Sequence, residues 1–466
     1  MIGIPHPYLT EGIPGVGGCL KQELEDFIVE EIPLYHPVDH GEHTFFEVEK
    51  RDLSTLEALE RIAHALNLPL RDLGFAGLKD RKAVTRQVLS ARLAGPERVL
   101  ALEIPQIRIL WARLHTNKLR TGHLRGNRFR IRLRDIEGDA ATVDRIIAEV
   151  QRRGLPNFFG PQRFGNRGDA FRIGRALLLK DHEGAVRRLL GYPSSTEKNP
   201  HVIEARCRFM AGNLRGALEE FPRSYRQERQ ILEQLIRSGG NCRSAVRYFA
   251  EPVRKLYVSA YQSHLFNRIL ERRLAECGND PSRIHAGDLA WIHRSGAVFK
   301  VLDAQREQPR ADVFEISPSG PIFGIKMIQP EGLQGGIEAL VLAQEGLVPK
   351  VFNQLMPGLH MEGGRRPLRV PIRELHQEIL GKDLCLEFFL SKGSYATTFL
   401  REIMKSDEIP PGILEDGEVG ATPPVTPQAP GSPVEQVAAG LPAAEGSEGS
   451  VQEEPDLEAE DEPVME

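Results

Sequence analysis

The run Arg128-Phe129-Arg130-Ile131-Arg132-Leu133-Arg134 alternates strictly between cationic and apolar side chains. Successive side chains of a strand point to opposite faces, so this run reads as a strand with Phe129, Ile131 and Leu133 on one face and four arginines on the other. Four like charges with no interleaved acid repel one another. That favours a surface that meets phosphates over a merely solvated face, with Arg128 and Arg130 as candidate contacts. Arg113, Lys118, Arg120 and Arg125 precede the run.

Other segments supply helices and further strands. Residues 43–49 read as a strand. Ser54-Thr55-Leu56-Glu57 is a capping box that opens a helix with Leu56, Leu59, Ile62, Ala63 and Leu66 on one face, ended by Pro69. A strand follows near 84–91, and a helix over 143–153 ends at Gly154, a suitable C′ residue. The stretch 166–363 is more helical, with a helix over 228–237 and an amphipathic run over 257–274. Short strands return after Gly363-Gly364-Arg365-Arg366, among them 384–390. The expected class is α+β, with a mixed, mainly antiparallel sheet flanked by helices and an inserted α/β domain. The expected division is 1–165 and 364–406 for the main domain, 166–363 for the insertion, and 407–466 for an acidic tail. Rich in Pro, Gly, Ala and Glu, the tail is expected to be disordered.

Composition narrows the partners. The last sixty residues carry 16 acidic residues and no Lys or Arg, while residues 1–406 hold 60 basic against 49 acidic ones. A body of net +11 suggests a polyanionic partner. Five cysteines without a Cys-x-x-Cys pair form neither a zinc ribbon nor a disulfide framework. No run approaches the ~18 apolar residues of a membrane span, and the first residues lack the features of a secretory signal. A cytoplasmic protein without membrane association is expected.

Candidate chemistry centres on Gly74-Phe75-Ala76-Gly77-Leu78-Lys79-Asp80-Arg81-Lys82-Ala83-Val84-Thr85-Arg86-Gln87. One acid, Asp80, sits among four cations just past two glycines, on a loop between a helix and a strand. Glycines let backbone approach a bound partner closely, and the cations suit a phosphate backbone. A lone carboxylate kept ionised by such neighbours can serve as nucleophile or base. A basic loop whose Asp only caps a turn is the alternative.

The segment from Gly77 to Gln87 closely resembles the catalytic signature of the TruD family of tRNA pseudouridine synthases. So do Gly154-Leu155-Pro156-Asn157-Phe158-Phe159-Gly160-Pro161-Gln162-Arg163-Phe164-Gly165 and Gly393-Ser394-Tyr395-Ala396-Thr397-Thr398-Phe399-Leu400-Arg401-Glu402. Leu20-Lys21 followed by Glu25-Asp26-Phe27, and Leu124-Arg125-Gly126-Asn127-Arg128-Phe129, echo it more weakly. The motifs keep the family's order from about residue 15 to 406.

The resemblance implies a pseudouridine synthase domain interrupted by a family-specific insertion. It implies isomerisation of uridine to pseudouridine at position 13 in the D arm of certain tRNAs, with no cofactor, metal or obligatory protein partner. Asp80 is the expected carboxylate beside C1′, acting as nucleophile or as base; the residues leave both routes open. Lys21 matches a basic position of the family and is its expected counter-charge, with Lys79 and Arg81 as local competitors. Phe159 and Tyr395 occupy aromatic positions around the target base, although related sequences often carry Phe where Tyr395 stands. Asn157 is expected to bond the pocket or the base, and Lys79 and Arg163 to contact substrate.

The sequence contains no dinucleotide Gly-x-Gly-x-x-Gly fingerprint, Walker loop or His/Cys cluster. A tRNA-binding protein without catalysis is the alternative reading, against which the intact Asp80 loop speaks. A metal-dependent nuclease would need clustered carboxylates or histidines, whereas Asp80 has cationic neighbours.

Overall fold

The computed structural model describes residues 6–353 and 359–406; the acidic tail from Asp407 lies outside the described residues. Seven strands come from the first third of the chain: β1 (Gly17–Leu20), β2 (Phe27–Pro33), β3 (His43–Arg51), β4 (Leu73–Phe75), β5 (Val84–Arg92), β6 (Ile107–His115) and β7 (Leu124–Ile136). Between them lie α1 (Thr55–Ala65) and α2 (Pro96–Leu100), followed by α3 (Ala140–Arg153) and the two-residue β8 (Leu155–Pro156).

Helices then dominate: α4 (Ala170–Leu178), α5 (His182–Leu190), α6 (Pro200–Met210), α7 (Leu214–Glu220), α8 (Arg226–Arg237), α9 (Cys242–Val246) and the 26-residue α10 (Glu251–Glu276). Next come β9 (Leu289–Ile292), β10 (Val298–Lys300), α11 (Ala304–Asp312), β11 (Ile316–Ile322) and α12 (Gly332–Gln344). The last elements are β12 (Gly364–Pro367), β13 (Arg369–Val370), β14 (Arg373–Leu380), β15 (Asp383–Ser391) and α13 (Ala396–Met404).

The central sheet runs β14-β15-β7-β2-β5-β3-β6, with β1 added to β7 and β4 to β5. Among the described residues, only the β2–β5 pairing is parallel. The alternating run is the middle of β7, and β15 docks along it with Phe388 opposite Phe129 and Leu386 opposite Ile131. These apolar residues, with Phe27 and Val29, pack under α3 and α13. The capping box opens α1 as expected, Ser54 and Glu57 each accepting the other's backbone N–H.

The arginine face departs from expectation. Arg128 pairs with Glu374 and Glu30, Arg130 with Glu387, Arg132 with Asp383 and Arg134 with Asp26. The interleaved acids are supplied across the sheet by flanking strands and the turn before β2, so the four charges do not face one another alone. Cross-strand pairs of opposite charge are a usual stabilising device on a solvated sheet face.

The run 257–274 also differs. It belongs to α10, whose Ser259, Gln262, Ser263 and Asn267 are buried alongside its apolar residues. A helix enclosed on all sides is a core element rather than an amphipathic surface helix. At the other end of the insertion, β12 pairs with β11 in a four-stranded sheet with β9 and β10. The strand Gly364–Pro367 therefore continues that smaller sheet past residue 363, and the central sheet resumes only at β14.

Candidate active site

Gly74 and Phe75 belong to β4, so the Asp80 loop connects two antiparallel strands, β4 and β5, rather than a helix and a strand. Three buried side chains pin it. Thr55, in the first turn of α1, accepts the Lys79 N–H at 2.9 Å and donates to Gln87 Oε1 at 2.9 Å. Gln87 Nε2 donates to the Gly77 carbonyl at 3.3 Å. Lys50 Nζ, from the helix-covered face of β3, donates to the Asp80 carbonyl at 2.9 Å. The backbone on both sides of Asp80 is thus held by the sheet and α1 together.

The Asp80 carboxylate is the part left accessible, with its side chain 22% exposed. Its Oδ1 accepts from Lys21 Nζ at 3.2 Å and from Gln162 Nε2 at 3.1 Å. Lys21 follows β1 directly, with a left-handed φ of 58° that is uncommon outside glycine. Its side chain is fully enclosed, and its ammonium lies 4.2 Å from the Phe27 ring centroid. An enclosed ammonium needs a compensating charge, and Asp80 and the Phe27 π-face provide it.

Lys79, expected to contact substrate, turns the other way. Its Nζ donates to Glu31 Oε2 at 2.5 Å, and both side chains are buried. The ion pair fastens the loop to β2 and leaves the ammonium committed. Arg81 lies within 4 Å of Asp52 and Glu57 on the surface, so the ammonium paired with Asp80 is that of Lys21.

A second group assembles around Phe159. Its ring is only 2% exposed. Phe266 and Tyr395 stand edge-on to it at 5.5 and 6.0 Å, and the Arg366 guanidinium carbon lies 4.1 Å from its centroid. The face expected to be open for a base is therefore covered by Arg366. Tyr395, the N-cap residue of α13, is the half-exposed aromatic of the group.

Asn157 is also fully engaged. Its Nδ2 donates to the Pro367 carbonyl at 2.9 Å and its Oδ1 accepts from Arg366 Nη2 at 2.6 Å. The same nitrogen of Arg366 donates to the Gly393 carbonyl at 2.9 Å, so one guanidinium ties the Asn157 strand to the loop that carries Tyr395. Asn157 and Arg366 thus hold these two segments together. Burial draws the Arg366 guanidinium down to about 10, and the nearby Arg163 charge adds to the effect. Arg163 is held below its ordinary value by burial. Its Nε donates to Ser263 Oγ at 3.0 Å, while its Nη1 has no hydrogen-bond partner among the described residues.

Arg128 and Arg130 lie elsewhere. Ile28 is paired with Arg130 and Glu30 with Arg128, whereas Phe27 and Val29 point to the α3 side. Both arginines thus project from the sheet face opposite the Phe27 ring that carries Lys21. A hollow of about 240 Å³ opens on that opposite face, lined by Glu30, Glu49, Arg86, Arg128 and Arg130 among others, and Asp80 does not line it.

The sequence reading missed Gln162, Lys50, Glu31 and Arg366 as supports of the site. Gln162 stands beside Arg163 in a motif already singled out, so neighbourhood was its one signal. Among the described residues, no group of three or more His, Cys, Asp or Glu is arranged to hold a metal ion.

A carboxylate paired with an enclosed ammonium stands on a loop fixed to a mixed sheet, an arrangement of the kind that nucleophilic or base chemistry uses. The model of the tRNA pseudouridine synthase D (TruD) family matches residues 3–403, and the chain belongs to that family. It is 48% identical over 404 residues to a tRNA pseudouridine synthase D of Geotalea daltonii, covering 86% of this chain and 100% of that one. A tRNA pseudouridine synthase D of Geobacter metallireducens is 48% identical over 401 residues, covering 85% and 97%. The crystal structure of a protein assigned to TruD from Methanosarcina mazei superposes with a TM-score of 0.73 at 28% identity, covering 87% of this chain and 97% of that one.

Proposed function

We propose that this protein isomerises a uridine of tRNA to pseudouridine, at position 13 of the D arm, with Asp80 as the reacting carboxylate. The Lys21–Asp80 pair carries the reading: an accessible carboxylate oxygen beside an enclosed cation, within the motif that the family resemblance singles out. The reaction cleaves the bond from C1′ to N1, turns the uracil and joins C5 to C1′. Asp80 either attacks C1′ or removes a proton as the bond breaks, and Lys21 stands beside it as counter-charge in both.

The uridine has to leave its stack to reach Asp80, and Tyr395 is the half-exposed ring beside which the base settles. The division into a catalytic domain and an insertion beginning near residue 166 belongs to the same proposal. The central sheet, built from both ends of the chain, supports it.

The test is pseudouridine mapping of total RNA from a bacterial strain lacking its position-13 synthase. The intact gene should restore the modification, and a gene with Asp80→Asn should not, while its product still binds tRNA. Restoration by the Asp80→Asn gene would remove Asp80 from the chemistry.

A further inference from the structure

One group of cations differs from the paired face of the sheet. From Arg128 to Arg134, every arginine of β7 has a carboxylate partner. Just upstream, Lys118, Arg120 and Arg125 form no ion pair among the described residues, and neither does Lys392. Arg120 and Arg125 are exposed. Lys118 Nζ donates only to the Arg71 carbonyl, and Lys392 Nζ to the Gly122 carbonyl at 3.1 Å.

These residues share one place. Lys392 N–H donates to the Arg125 carbonyl at 3.0 Å, so the loop leading to Tyr395 is tied to the start of β7. Gly122 N–H in turn donates to the Ala76 carbonyl at 2.7 Å, which fastens the 116–124 segment to the loop carrying Asp80. The cations thus flank the Asp80 loop on one side and the Tyr395 loop on the other. His123, within the group, donates to or accepts from Tyr35 at 2.6 Å. Its imidazole is held below the ordinary value by burial, and then by the charges of Arg120 and Lys392. The local field is positive.

We propose that Arg120, Arg125 and Lys392 form the cradle for the phosphate backbone of the RNA strand that delivers the target uridine to Asp80. The inference rests on the tRNA reading above and deepens it by naming the surface. Carboxylates neutralise the arginine face of β7, whereas here the counter-charge is left to the ligand. Phosphates of a strand whose base turns inward between Asp80 and Tyr395 pass over both tied loops. Exposed guanidiniums suit them, because each can bond a phosphate with two parallel N–H groups.

The test is the salt dependence of binding of an unmodified tRNA transcript by the full chain and by an Arg120→Gln/Arg125→Gln double variant. Each lost phosphate contact should reduce the slope of log K against log salt by about 0.7–0.9, so the double variant should lose about 1.4–1.8. Arg108→Gln, on the opposite sheet face and paired there with Glu49, should leave the slope unchanged. Thermal melts confirm that both variants fold. A double-variant slope equal to that of the unaltered protein would overturn the cradle. Conversion by the unaltered protein tests the isomerase reading separately, because the slope is read from binding alone.

Discussion

Lys21 and Asp80 are 59 residues apart in the chain, yet their Nζ and Oδ1 atoms meet at 3.2 Å, with the ammonium enclosed and the carboxylate partly open. The asymmetry sets them apart: Lys21 is fixed by its turn and by the Phe27 ring, whereas Asp80 keeps an accessible side.

Lys21→Met should therefore lower single-turnover conversion by about 10²-fold or more, the scale seen when one preorganised electrostatic partner is removed. Affinity for tRNA should change little, because the ammonium is enclosed. Rapid-quench conversion and filter binding on the same preparation separate the two effects. A loss confined to binding would place Lys21 in recognition rather than chemistry.

Phe159→Ala should behave as a core truncation. The ring is enclosed by Phe266, Tyr395 and Arg366, so its removal should cost ~3–5 kcal/mol of stability and release Arg366 from its π-face. Denaturant unfolding measures this. Near-normal stability with lost turnover would instead restore Phe159 as a platform that the base reaches.

Glu345 supplies a pH dependence. Its carboxylate accepts from Tyr261 Oη at 2.9 Å and from Arg268 Nη1 at 2.5 Å, with His264 close by. Chiefly the His264 contact, working against burial, brings it from 4.5 to about 2. A carboxyl held lower in the folded state stabilises above its unfolded value and loses that contribution as pH falls through the folded one. Glu345→Gln should thus destabilise by ~2–3 kcal/mol at pH 7, and the gap should close between pH 4.5 and about 2. Melting temperatures of both proteins across that range provide the check; a constant gap would show that packing, not charge, is lost.

Activity on a prefolded transcript should survive dialysis against EDTA, since Asp80 is engaged by an ammonium and an amide N–H, both donors. Loss of conversion restored by a transition metal would contradict this.

Signals that repeat along the chain were legible. The period-2 run of β7 and the capping box of α1 each state their geometry in consecutive residues, whereas the Asp80 loop, read as following a helix, follows the short strand β4. Partners brought together by folding were not. The acids opposite β7's arginines come from β14, β15 and the region before and within β2, so a rule based on neighbouring charge predicted a bare cationic face. Lys79 looked available because Glu31, 48 residues upstream, is invisible in its own segment. Asn157 and Phe159 were expected to meet the base, but Arg366, over 200 residues away, occupies the acceptor of one and the ring face of the other.

The pairing of β15 with β7 has a consequence for synthesis. This pairing joins strands that end at Ile136 and Ser391. At ~5–20 residues per second, roughly 10–50 s separate the emergence of these strands from a ribosome. Throughout that interval β7 has β1 and β2 available but an unpaired edge on its other side, beside an uncovered apolar surface. Unpaired edges of this kind invite intermolecular pairing. Growing chains halted within the helical segment should therefore be the species most dependent on chaperones, and β14 and β15, from the last few dozen described residues, complete that side of the sheet.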